Sequence, residues 1–142
     1  MGDTIPVKPG DVIQYAYLWA YEELEGHVEG RKERPCAVMI VHASKHVVGV
    51  CPITHTPPRA NHGVQLPAQT CERLGLDDQA PCWVVTTELN QFVWPGPDIR
   101  RVPSGQHSYG LMPAALFQKI KAQLLANHAQ GLEVVFRTDE LD

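Results

Sequence analysis

Residues 34–54 read RPCAVMIVHASKHVVGVCPIT, and this stretch decides the fold. Residues 36–41 (CAVMIV) are apolar at every position, and Val47–Thr54 (VVGVCPIT) is nearly so. Short runs rich in β-branched residues and apolar on both faces belong to strands in the interior of a sheet. The link between them, residues 42–46, is short enough for an antiparallel pair. Arg34 opens one run and Thr54 closes the other. An antiparallel pair therefore brings them together at one rim.

Upstream, residues 11–19 (DVIQYAYLW) follow Pro9-Gly10 and read as the first strand. Residues 21–33 (YEELEGHVEGRKE) are polar, carry two glycines and lack a helical stripe, which predicts a long mobile loop of the kind that often serves function. Downstream, residues 56–63 (TPPRANHG) form a loop, residues 64–66 a short strand, and residues 67–73 a short helix stopped by Gly75. Residues 82–87 (CWVVTT) make another strand. Residues 94–98 (WPGPD) must turn, because Pro95 and Pro97 cannot both donate to a sheet, and residues 99–102 return as a strand. The clearest helix is 113–128: Pro113 suits its first turn, and Leu116, Phe117, Ile120, Leu124 and Leu125 make one apolar stripe. Gly131 ends it and residues 132–136 add a last strand. The fold class expected is mainly β with α: a small barrel or strongly bent sheet closed by the C-terminal helix. Residues 1–142 read as one domain, with residues 1–8 and 137–142 as flexible ends.

Composition narrows the function. The 142 residues are 44% hydrophobic and 20% charged, too apolar for a disordered chain. The first ten residues have no apolar core and no run is long enough to span a bilayer, so a cytoplasmic protein without membrane contact is expected. Cys36, Cys51, Cys71 and Cys82 mostly sit within apolar runs and read as reduced core thiols. The formal charge of −4 argues against a broad phosphate-neutralising surface, but not against a local basic site such as Arg31, Lys32 and Arg34. No phosphate loop, nucleophile elbow or Cys-x-x-Cys pair occurs. His42, His46, His55 and His62 flank strands without a ligand spacing, so no metal and no cofactor is expected.

Arg34 and Thr54 together would suit a phosphate. Guanidinium supplies planar, permanently charged donors and the hydroxyl adds one more. Spacing alone favours a plainer account, in which Arg34 pairs with a carboxylate such as Glu33 and Thr54 caps a turn.

The order of Pro9-Gly10-Asp11-Val12, Arg34-Pro35 before an apolar strand, Pro52-Ile53-Thr54 closing the next, Thr87-Glu88-Leu89-Asn90-Gln91-Phe92, and a helix opening at Met112-Pro113 resembles the MazF/PemK family of toxin endoribonucleases. The resemblance runs from about Pro9 to about His128. It implies an SH3-like barrel, a homodimer, an antitoxin partner and metal-independent cleavage of single-stranded RNA, in which the 2′-hydroxyl attacks the neighbouring phosphate and leaves a cyclic phosphate. It also implies that Arg34 and Thr54 are the catalytic pair. His55 and Glu88 are acid/base candidates by chemistry alone. Arg31, Lys32, Asn90, Gln91 and Trp94 are candidates for binding RNA, Trp94 by stacking on a base. The net negative charge and the acidic run Glu22, Glu23, Glu25 and Glu29 motivate an alternative: a non-catalytic barrel that binds or inhibits a protein target.

Overall fold

The computed structural model describes residues 5–27, 33–76 and 81–137. The two diagnostic runs form strands β2 (Arg34–His42) and β3 (Val47–Thr54), joined by a 3-10 turn at Ala43–Lys45. They pair antiparallel, with Cys36 opposite Pro52 and Val38 opposite Val50, and a register shift follows at Met39. β1 (Asp11–Tyr15) lies on the other edge of β2.

The double apolarity of these strands has a direct cause. Val12, Ala37, Met39, Cys51 and Ile53 point into one core, while Ile13, Tyr15, Cys36, Val38, Val48 and Val50 point into another. A strand alternates faces with period two, so only a strand covered on both sides can be apolar throughout.

The far edge of β3 is shared. Its first half pairs with β6 (Glu88–Val93) and its last two residues with β5 (Trp83–Val85), which continues to β4 (Gly63–Gln65). The short strands β7 (Ile99–Arg100) and β8 (Gly110–Leu111) both pair with β1, and β9 (Glu133–Phe136) runs parallel to β6. The result is one mostly antiparallel nine-stranded sheet. Among the described residues, its end strands β4 and β7 are not paired with each other, so hydrogen bonds do not close the expected barrel.

Among the described residues, three α-helices flank the sheet. α2 (Ala68–Leu74) ends on Gly75, whose φ of 73° is the left-handed cap that glycine adopts without strain. α3 (Ala114–Ala129) follows Pro113 and buries Ile120 and Leu124 in the first core, with Leu116 and Phe117 packed against it. Burial of each such side chain stabilises by about 1.5–3 kcal/mol. Leu125, expected on this stripe, is exposed. Asn127 takes the inward position instead and donates to Asn61 O at 3.0 Å.

The largest departure lies between β1 and β2. The first strand stops at Tyr15, not at residue 19, because the next residues bond elsewhere. Ala16 N–H donates to Asp98 O, and Leu18 N–H and C=O both bond to the Asn90 side chain. α1 (Ala20–Leu24) then occupies the first part of the expected loop, with Glu22 Oε1 accepting from Trp19 N–H at 3.0 Å. Glu22 is buried rather than part of an acidic surface. Residues 28–32, with Arg31 and Lys32, lie outside the described residues. The expected strands at 82–87 and 99–102 are trimmed to β5 and β7, and β8 is additional.

At the margins, Val7 packs into the second core and Arg137 is buried. All four cysteines are free and buried. No helix among the described residues is long and apolar enough to cross a membrane.

Candidate active site

Arg34 stands two residues before Cys36, and Thr54 two residues after Pro52. The antiparallel register therefore sets them opposite one another at the strand ends. Both line a cleft of about 190 Å³ together with Glu33, Pro35, Ile53, His55, Leu76 and Cys82. The apolar floor comes from residues of the first core, and the polar groups gather at the mouth.

Arg34 is held lightly. Its Nη1 donates to Ile53 O at 3.4 Å, a long bond, and its buried Nε has no hydrogen-bond partner. Its guanidinium carbon lies 5.0 Å from the centroid of the Trp19 ring. Such a cation–π contact contributes about 0.5–2 kcal/mol. An unsatisfied buried donor costs about 1–3 kcal/mol, so its presence calls for an explanation. The pairing with Glu33 does not occur. Glu33 is engaged by Arg100 Nε at 3.3 Å and by Gln14 Nε2 at 3.3 Å. Among the described residues Arg34 faces the cleft with no carboxylate partner.

Thr54 Oγ1 accepts from Thr56 N–H at 3.1 Å, which is the turn-capping role. That bond uses a lone pair and leaves the hydroxyl proton able to donate. His55 Nδ1 lies 3.0 Å from Pro81 O. A carbonyl only accepts, so Nδ1 carries the proton, and in the neutral ring the basic lone pair is on Nε2. Burial pushes the Cys36 thiol well up, against the lowering influence of Arg34, so it is not a thiolate nucleophile.

The remaining candidates stand elsewhere. Glu88 Oε1 accepts from Ala20 N–H at 2.9 Å and from Tyr17 O–H at 3.1 Å, tying β6 to the segment before α1 rather than lining the cleft. Its carboxyl is raised, first by burial and then by Glu133 and Glu22, while those two hydrogen bonds oppose the shift. Asn90 is buried and gives its amide to Leu18, and Trp94 packs beside Phe92 in the second core. Neither presents a face to a base. Gln91 sits half-buried on β6, opposite Gly49. The histidines remain dispersed, and among the described residues no three His, Cys, Asp or Glu side chains converge as a metal would require.

Trp19 is the residue that reading the sequence by strands misplaced. Its signal was Glu22, three residues on, because a carboxylate at that spacing reaches back to a helix-opening N–H.

No protein-family model matches the chain, and no curated protein matches it in sequence. Solved structures do match in shape. A MazE–MazF crystal structure from Deinococcus radiodurans aligns with a TM-score of 0.54 at 16% identity, over 87% of this chain and 96% of that one. The Mycobacterium tuberculosis toxin MazF-mt6 aligns with a TM-score of 0.53 at 21% identity, over 83% of this chain and 95% of that one. Both alignments take in most of each partner, and at these identities the likeness is one of architecture: this chain has the fold of the MazF toxin structures.

Proposed function

We propose that the Arg34–Thr54 cleft is the catalytic centre of a toxin-type endoribonuclease acting on single-stranded RNA. The observation that carries this reading is the Arg34 guanidinium, which lines an open cleft opposite a hydroxyl and, among the described residues, has no carboxylate to neutralise it. The fold it shares with MazF toxins supports the same reading.

In the reaction the 2′-hydroxyl attacks the adjacent phosphorus, and the bond to the 5′-oxygen breaks. The products are a 2′,3′-cyclic phosphate and a free 5′-hydroxyl. Negative charge grows on the non-bridging oxygens of the pentacoordinate phosphorus, where Arg34 donates. Thr54 donates its hydroxyl to a second oxygen while Thr56 N–H holds Oγ1 in place. His55 Nε2 is the acid/base candidate at the cleft mouth, oriented by the bond from Nδ1–H to Pro81 O. The nucleophile belongs to the substrate, so the transfer step consumes no external water.

By the same analogy the chain works as a cytoplasmic homodimer, its bent sheet an SH3-like barrel that the C-terminal helix α3 closes. It is restrained by an antitoxin, as the Deinococcus radiodurans MazF is paired with MazE. Incubation of the purified protein with single-stranded RNA in chelator should give cyclic-phosphate ends. Intact RNA with folded wild-type protein would refute the assignment. Growth inhibition surviving Arg34→Ala and Thr54→Ala together would favour a protein target instead.

A further inference from the structure

We infer that Trp19 is a positioning residue for Arg34, its indole face holding the guanidinium at the cleft without consuming an N–H donor. The inference rests on the reading of the cleft as an RNA-cleaving centre, and it concerns how that centre is kept ready.

The peptide around Trp19 is unusually well tied. Tyr17 O–H and Ala20 N–H both donate to Glu88 Oε1, at 3.1 and 2.9 Å. Leu18 bonds the Asn90 amide through both its N–H and its C=O, at 2.9 and 2.8 Å. Trp19 N–H itself donates to Glu22 Oε1 at 3.0 Å. The Tyr17 ring meets the indole edge-on at 5.3 Å. Side chains of β6 therefore clamp the chain on both sides of Trp19, and the ring packs at the margin of the second core. It is a fixed platform.

What the platform does follows from the alternatives. A long arginine side chain loses much rotamer freedom when it is ordered. A carboxylate would order it, but would also neutralise it and occupy the donors a phosphate needs. An aromatic face attracts the cation through its quadrupole and takes up no N–H. The arrangement excludes the competing carboxylate as well, since Glu33 is drawn away by Arg100 and Gln14. Arg34 Nε is buried and makes no hydrogen bond to the described residues.

The test is a series at position 19 with kcat and KM measured separately on single-stranded RNA. Trp19→Phe keeps a weaker π face and should lower kcat by about threefold, and Trp19→Leu should lower it by about tenfold with KM little changed. Site-specific fluorinated tryptophans, which drain the ring face at nearly constant shape, should lower kcat stepwise with each fluorine. The Arg34 Nε–H resonance should be displaced by the indole ring current in the wild type and return towards its ordinary position in Trp19→Leu. Wild-type kcat in Trp19→Leu, or a flat fluorinated series, overturns the inference. Should Trp19→Leu fail to fold, the fluorinated series decides. If wild-type protein leaves RNA intact, the catalytic reading has failed. The ring-current displacement then judges the positioning by itself, and its absence refutes it.

Discussion

Among the described residues, two arginines sit on aromatic rings and are held in opposite ways. Arg137, just after β9, lies 5.5 Å from the Tyr15 ring and donates to Asp98 Oδ2 at 2.8 Å, Ala16 O at 2.9 Å and Asn90 Oδ1 at 3.3 Å. Arg34, at the mouth of β2, has the Trp19 ring and one long bond to a carbonyl. Arg137 knits β9, β6 and the segment after β1 into one body, with its charge cancelled inside the protein. Among the described residues, Arg34 keeps its charge uncancelled and most of its donors unengaged. The contrast separates a cation that serves the fold from one suited to a ligand, although both appear in the sequence simply as arginine beside apolar residues.

Substitutions can break or sharpen this contrast. Arg137→Ala breaks the buried ion pair with Asp98 and should destabilise by about 3–5 kcal/mol, read from urea unfolding. Arg34→Ala should leave the unfolding midpoint nearly unchanged and cost about a hundred- to thousandfold in RNA cleavage, the effect of removing a transition-state donor. A comparable loss of stability in both variants would erase the distinction. Thr54→Val keeps the shape but removes the hydroxyl, and should lower cleavage by about tenfold while also freeing the turn N–H of Thr56.

The smallest effect concerns Glu88, which supports the Trp19 platform. Its proton is held more tightly in the folded state, so its stabilising contribution is complete below the ordinary carboxylate range. That contribution is lost as pH rises through the raised folded value. Glu88→Gln keeps an oxygen acceptor for Ala20 N–H and cannot ionise. Its stability should therefore gain on that of the wild type as pH climbs from acid to neutral, measured by denaturant melts across that window. A gap constant with pH would show that Glu88 carries no burial cost.

The pattern of apolar residues alone determined β2, β3 and the course of α3, because burial on a strand or helix repeats with a period a single segment displays, and the cap at Gly75 followed from glycine's freedom at positive φ. It also brought the outer ends of β2 and β3 to one rim, but the bulge at Met39 shifted the register set at the turn by one residue and so placed Arg34 opposite Thr54. Tertiary structure decided the rest. Whether residues 20–24 coil or wander depended on Glu88 and Asn90, some seventy positions away, and on the buried Glu22. Asn90 and Trp94 turned inward because β6 lies between β3 and the parallel β9, a pairing no local period announces. The same long-range packing drew Glu33 to Arg100 and laid Arg34 on Trp19. Contacts between residues distant in sequence settled which charge was cancelled and which was left facing the cleft.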